Sequence, residues 1–308
     1  MPSTNTPAKQ RDGRLLAIEN EEAVLVALYQ FGWLATRQLA ALVWPNASSP
    51  RVAQRTLERL RAAAEVLWKK GSDGATVYAL STAGARRVHD VYGEKALVSR
   101  EPLRYIERQY EHRCLANDCA IWWLNATKHL GGFVDTEHEI QKGKATINAK
   151  EAHFASQSGK VPDALLHLPV PVDAHNPEGD DYWSVWVEAE CGHKNLKKQE
   201  HMVAELAYIL GRYRTQMRER RRGCDGMVRT YCVRQAYVVC PKTAHEERLA
   251  KTLLAFLWKP AVTADYDTAY IRKNIVVWRP GGTGESVEDL VKGSPTLTAY
   301  DKELQKRA

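Results

Sequence analysis

Tyr182–Glu190, YWSVWVEAE, is the stretch whose reading decides the rest. Its aromatic and β-branched residues mark a strand, on which alternate side chains share a face. Trp186, Glu188 and Glu190 then point one way, and Val185, Val187 and Ala189 the other. The second face is wholly apolar and reads as buried. The first carries two like charges, and carboxylates about 4 Å apart repel by roughly 4 kcal/mol at an effective dielectric of 20. A cation, a proton or a basic partner has to accompany them.

Outward from this strand, FVDTEHEI (133–140) and VPDALLHLPV (161–170) read as two earlier strands, the second joined to YWSVWVEAE by the turn-rich PVDAHNPEGDD. Before them, residues 100–132 form a long helical stretch with Leu115, Cys119, Trp122 and Leu124 as its buried side, closed by Gly131 and Gly132. After them come a helix over 195–214 with Met202, Leu206, Tyr208 and Leu210 apolar, a strand RQAYVVC, a helix TAHEERLAKTLLAFLW and a late strand NIVVWRP. The polar residues beyond Gly281 read as a mobile tail.

On this reading carboxylates from three strands converge: Glu139 on the first, Asp163 at the start of the second, Glu188 and Glu190 on the third. Oxygen donors without a His or Cys set favour Mg²⁺ or Mn²⁺. Such an ion serves phosphodiester chemistry by holding the phosphate and lowering the pKa of a bound nucleophile. Lys194 or Lys197, just beyond the strand, can neutralise developing charge. His112 is a candidate phosphate or base contact, against a satisfied helical histidine. Tyr213, with Tyr208 behind it, is a candidate hydroxyl nucleophile, against a packed aromatic. His193 reads as an exposed turn residue and Asn117 as a brace.

The 308 residues suffice for two domains, and no apolar run approaches the roughly 20 residues of a membrane span. Residues 1–14 read as a polar arm without a secretory core, so the cytoplasm is the expected compartment. Cys114, Cys119, Cys191, Cys224, Cys232 and Cys240 form no CxxC pair and read as reduced thiols. The net charge of +7 favours polyanions. Six of the eleven residues from Arg212 to Arg222 are arginine; Arg212, Arg214 and Arg218, with Lys197, read as a backbone-binding helix, or else as a solvated face.

Residues 20–97 carry a different pattern. NEEAVLVALYQFG, capped at Asn20, TRQLAALVW and RVAQRTLERLRAAA read as three helices, the third burying Val52, Leu57, Leu60 and Ala64. VLWKK and TVYALS flank the turn GSDGA, and TAGARRVHDVYG closes the unit. This order resembles a winged helix-turn-helix, whose third helix enters the major groove while the hairpin reaches the backbone. Arg51, Gln54, Arg55 and Arg59 share one helix face, and Lys69 and Lys70 stand at the wing tip, making these the expected contacts to double-stranded DNA. A winged helix can also serve protein contacts.

VPDALL followed twenty-five positions on by WVEAE is similar to the PD-(D/E)xK motif of the restriction-endonuclease-like fold, over roughly residues 105–245. Glu190 stands where the usual lysine would, giving ExE. With the preceding winged helix, the succession EHRCLANDCA, TEHEI, VPDALL and WVEAECGHKNLKKQEHMVAELAYILGRYR resembles the replication-relaxation family and, through it, MobC-type plasmid relaxases. His112, Asn117, Glu139, Asp163, Glu188, Glu190 and Lys194 carry that pattern. The resemblance implies a mixed α/β protein: a winged helix over 15–98, a nuclease-like domain with a central mixed sheet flanked by helices over 99–285, and a tail over 286–308. It implies Mg²⁺- or Mn²⁺-dependent nicking of plasmid or mobile-element DNA, on a supercoiled origin, by a homodimer or beside conjugation and replication proteins. The alternative is an inactive DNA-binding regulator of replication, transfer or transcription; a third is an interaction module.

Overall fold

The structure is a computed structural model that describes residues 13–48, 50–93, 103–104, 106–145, 161–171, 181–192, 196–213, 219–222, 228–241, 243–260, 262, 266–280 and 283–307. The chain divides into two compact units, Met1–Ile106 and Glu107–Ala308.

In the first unit, α1 (Gly13–Phe31), α2 (Thr36–Val43) and α3 (Arg51–Ala62) precede a hairpin of β2 (Val66–Lys70) and β3 (Thr76–Leu80), and α4 (Thr82–Tyr92) follows. A short strand β1 (Trp33–Ala35), which no sequence pattern announced, pairs with β3, so the antiparallel order is β1-β3-β2. Helix α3 buries Ala53, Thr56, Leu57 and Leu60, positions three and four apart that share one stripe. Two expected core positions are corrected. Val52 lies off that stripe and is exposed, and Ala64 falls beyond the helix in a left-handed conformation at φ 53°. Asn20 is not a cap either: α1 already runs through it, and its Oδ1 accepts from Trp44 Nε1 at 2.9 Å.

Charged pairs tie the three long helices together. Glu21 on α1 accepts from Arg59 on α3 at 2.7 Å and from Arg87 on α4 at 3.1 Å, and Arg87 also reaches Glu65 at 2.9 Å. Ser81 caps α4 through Ala83 and Gly84 N–H. At Gly84 a Cβ would stand 2.2 Å from the Glu65 carbonyl oxygen. Gly84→Ala should therefore destabilise the unit by about 1–3 kcal/mol through overpacking, read as a lowered Tm. Gly13→Ala, which meets nothing within 4 Å, should leave Tm unchanged.

The second unit is a mixed sheet with helices on both faces. Its elements are α5 (Ile106–Thr127), β4 (Phe133–Thr136), α6 (Glu137–Gln141), β5 (Ala164–Pro169), β6 (Asp181–Ala189), α7 (Leu196–Tyr213), β7 (Glu219–Arg222) and β8 (Val228–Val239). They continue with α8 (Thr243–Leu257), α9 (Thr268–Asn274), β9 (Ile275–Arg279), β10 (Thr283–Ser286), α10 (Val287–Gly293) and α11 (Pro295–Arg307). The strand order is β10-β9-β8-β6-β5-β4, with β7 pairing β8. Strands β4, β5 and β6 form an antiparallel meander, whereas β6, β8 and β9 run parallel. Parallel neighbours need long crossovers, and α7, α8 and α9 lie in those connections. Trp186, Leu165, Val238 and Val277 face a core completed by α7 and α8. On the other face Trp123 of α5 meets Tyr237 at 6.4 Å, and Trp122 meets Trp278 at 5.7 Å.

Three expectations are corrected here. FVDTEHEI is a strand only to Thr136; Glu137–Gln141 is helical because Thr136 and Glu139 form a reciprocal capping box. The arginine run is not one helix: α7 ends at Tyr213, and Arg220, Arg221 and Arg222 lie on β7, paired with β8. Arg214 and Arg218 lie outside the described residues, as does most of the loop before β6. Nor are residues 286–308 a mobile tail. Val287, Val291 and Leu297 enter the core with Tyr300 and Leu304 against it, and Asp301 accepts from Trp258 at 2.7 Å and Arg272 at 2.9 Å. The polar composition hid two amphipathic helices. Among the described residues no helix is long and apolar enough to cross a membrane. Cys114, Cys119 and Cys240 are buried free thiols, and burial raises the pKa of Cys119.

Candidate functional site

The meander brings Asp163 to the end of β6. Ala164 pairs with Val187, and Asp163, one residue earlier, lies at the end of that ladder beside β6. Its N–H donates to Val187 O at 3.0 Å, and its Oδ2 accepts from Ala189 N–H at 2.7 Å. The preceding Pro162 has no N–H to continue the ladder, and the aspartate side chain takes over at that point. From α5, His112 Nε2 stands 3.2 Å from the same Oδ2. The histidine side chain is 37% exposed and the aspartate 11%, so this end of the sheet is reached from solvent.

Beside this pair lie two groups that no sequence pattern singled out. Arg113 Nε stands 4.0 Å from Glu137 Oε2. Burial lowers the guanidinium pKa, opposed by Glu137 and Asp163. Burial raises that of Glu137, with Arg113 pulling down and Asp163 pushing up. Gln141 Nε2 donates to Glu137 Oε1 at 2.6 Å. The result is a small cluster, His112, Arg113, Glu137 and Asp163, drawn from α5, α6 and the start of β5. No periodicity marks Arg113 or Glu137, since a buried guanidinium is recognisable only once its carboxylate neighbour is in place.

The like charges of β6 are compensated locally. Glu188 is 1% exposed, and its Oε1 accepts from Trp186 Nε1, its neighbour on the same face, at 2.8 Å. Glu190 is fully buried; Gly192 N–H donates to its Oε1 at 2.9 Å, and Arg248 of α8 stands 3.8 Å away. Arg248 also donates to Gly192 O at 3.2 Å, and His245 covers Gly192 so closely that a Cβ there would lie 2.3 Å from Nε2. Glu139 does not join them. Its carboxylate accepts from Thr136 N–H at 3.0 Å and Thr136 Oγ1 at 3.1 Å, as the cap of α6.

The remaining candidates are dispersed or beyond description. Lys194 and His193 lie outside the described residues, and so does Asn195. Lys197 is exposed on the first turn of α7, Tyr208 is half-buried there, and Arg212 and Tyr213 end the helix. Asn117 is buried on α5. Arg51, Gln54, Arg55 and Arg59 are exposed on α3, though Arg59 is taken up by Glu21. Lys70 donates to Thr76 Oγ1 at 2.9 Å across the hairpin, beside the half-buried Lys69.

No family model, curated protein or solved structure matches this chain.

A second polar network crosses the meander. Ser184 Oγ, His167 Nδ1, His167 Nε2 and Asp135 Oδ2 make contacts of 2.8 and 3.2 Å across β6, β5 and β4. The residue types are those of a nucleophilic triad. Ser184 and His167 are 0% exposed and Asp135 5%, however, and a nucleophile must meet its substrate. Phe133 stacks on the imidazole at 4.6 Å. The network is a buried brace holding the three strands together.

As to a metal, among the described residues no group of three or more His, Cys, Asp or Glu side chains is placed to hold one. Mg²⁺ binds through one or two carboxylates and keeps its waters; Asp163, beside His112, and Glu188, one residue past the Val187 carbonyl that accepts from Asp163 N–H, are the two carboxylates the metal reading turns on. A carboxylate has about four lone-pair positions, so a single indole N–H does not exhaust Glu188. Glu139 is taken up by the cap of α6, and Glu190 is held by Gly192 with Arg248 3.8 Å away.

His138, next to Glu137, gives a pH signature. Burial, then Arg113 and Lys142, depress its pKa to about 4. Its unfolded pKa is about 6.5. The unfolded chain thus binds the extra proton between these values, and stability is full above pH 6.5 and lost as pH falls towards 4. Glu137, shifted upward, acts in the opposite sense. The difference between wild type and His138→Gln isolates the imidazole: thermal melts should show the variant gaining on wild type as pH drops from 6.5 to 4.

Proposed function

We propose that the chain is a DNA-binding, metal-dependent endonuclease-like protein, a nicking relaxase acting on plasmid or mobile-element DNA in the cytoplasm. The observation that carries the cleavage reading is Asp163 at the head of the middle meander strand, hydrogen-bonded to Val187 and Ala189 on either side of Glu188 in the third strand, beside a partly exposed His112. A helix, an antiparallel three-strand meander, a helix and a strand parallel to the third follow in the order of the restriction-endonuclease-like fold. The order β1-β3-β2 with three helices supports the winged-helix reading of the first unit, α3 presenting Arg51, Gln54 and Arg55 outward.

Asp163 and Glu188 would hold Mg²⁺ or Mn²⁺, which when bound supplies Lewis-acid stabilisation of the phosphodiester and a more acidic water. The chain's own groups do the rest. His112, its Nε2–H oriented by Asp163, would take or return a proton at Nδ1. Arg113 holds positive charge behind the carboxylates. The exposed α3 residues bind backbone and base edges, with an affinity that falls as salt rises.

Negatively supercoiled plasmid carrying the DNA that flanks the chain's own gene, incubated with protein and Mn²⁺, should yield open circles, and none with chelator. Binding should weaken with salt, and Arg55→Ala should reduce both the affinity and the salt slope. No salt-dependent binding by wild type rules out the DNA reading as a whole.

One observation favours a second reading, an inactive DNA-binding regulator: Glu188 and Glu190 are fully buried and already hydrogen-bonded. That reading expects binding to the same DNA, with or without metal, and no nicking.

A further inference from the structure

We infer that the groove between the C-terminal half of α3 and strand β2 seats one unpaired DNA nucleotide, its base on Trp68 and its phosphate on Arg61. The inference rests on the DNA-binding half of the proposal above and specifies a feature of the ligand: a base outside the duplex stack.

Trp68 is 48% exposed on β2, an edge strand, and Leu67 beside it is 42% exposed. With Ala62 and Val66 they line a groove of about 600 Å³. That is within the range of small-ligand pockets. The Arg61 guanidinium carbon lies over the indole, 4.3 Å from its centroid. What distinguishes Arg61 is what it does not do. Arg59 is committed to Glu21, and Arg87 to Glu21, Glu22 and Glu65. Arg61 makes no ion pair among the described residues. With the guanidinium over one face of an indole that stays 48% exposed, and no ion pair of its own, Arg61 offers a phosphate a fork of donors beside the remaining π surface for a base. Glu58 lines the groove too.

Charge argues for a nucleotide over a second copy of the chain. Strand β2 ends in Lys69 and Lys70, and lysines blunt an edge against pairing. The base must be unpaired because a duplex keeps its π faces stacked, whereas single strands, tails and bubbles expose them.

The test is fluorescence anisotropy of the full chain with three labelled probes: a paired duplex, the same duplex with an oligo-dT tail, and oligo-dT alone. Wild type should bind the tailed duplex more tightly than the blunt one. Trp68→Ala should weaken the tailed and single-stranded probes roughly tenfold or more and leave the blunt duplex unchanged, while Trp68→Phe retains part of the gain. Arg61→Gln should lower the salt slope on the tailed probe by about one. Unchanged tail binding in Trp68→Ala, with blunt-duplex binding intact in wild type, overturns the inference and leaves the DNA reading standing. Wild type binding none of the probes overturns both. A dimer in sedimentation that Trp68→Ala abolishes overturns it in favour of self-association.

Discussion

Asp163→Asn should abolish the conversion of supercoiled plasmid to open circles, a loss of at least about 100-fold or roughly 3 kcal/mol of transition-state stabilisation. Asparagine keeps the size of the side chain and an oxygen to accept from Ala189 N–H, the contact that closes the meander at 2.7 Å. It loses the charge that a divalent ion requires and that orients His112. The expected result is an inactive protein with a Tm near wild type and unchanged affinity for blunt duplex. His112→Gln, which leaves both carboxylates in place, should lower the rate by about 10²-fold or more, the range of a single general base, and should flatten the rise of the nicking rate with pH. Nicking that persists in Asp163→Asn removes the site as drawn.

Trp186→Ala should have the largest effect on stability. The indole is 1% exposed, sits in the core with Leu165, Val238 and α7, and donates to Glu188 at 2.8 Å. Truncating a buried tryptophan costs about 3–5 kcal/mol. Trp186→Phe retains most of the apolar volume and loses only the N–H; a hydrogen bond to a charged group contributes about 1.5–3 kcal/mol. Chemical denaturation of the three proteins separates the two contributions. A phenylalanine variant as stable as wild type would mean that Glu188 does not depend on the indole.

The contrast between what YWSVWVEAE disclosed and what it hid is physical. Alternation gave the strand and the shared face of Trp186, Glu188 and Glu190, because a pleat permits only two directions. It could not tell a charge pair awaiting a cation from one compensated within its own segment. Trp186 and Gly192 donate hydrogen bonds to the pair from two residues away, and the positive charge of Arg248 arrives from a helix fifty-eight residues on. Glu139 misled for a related reason: TEHEI alternates like a strand, yet Thr and Glu three apart also spell a capping box, and the cap prevailed.

Longer-range features were less legible still. The His112 contact with Asp163 joins α5 to β5 across fifty-one positions, and Arg113 and Glu137 become a pair only when α6 turns under α5. In the first unit the helices and hairpin were readable from spacing and turns, though not from the Asn20 cap, and β1, three residues long, has too short a pattern to stand out. Residues 286–308 looked like a tail because their apolar positions are few; each of Val287, Val291 and Leu297 nevertheless enters the core.

The most direct test of the metal site is manganese soaked into crystals of the full chain, located by its anomalous signal. One strong peak should bridge the Asp163 and Glu188 carboxylates, with His112 close by and Glu139 still capping α6. A strand end without manganese, with Glu188 held only by the protein around it, would contradict the cleavage reading and favour the inactive DNA-binding regulator.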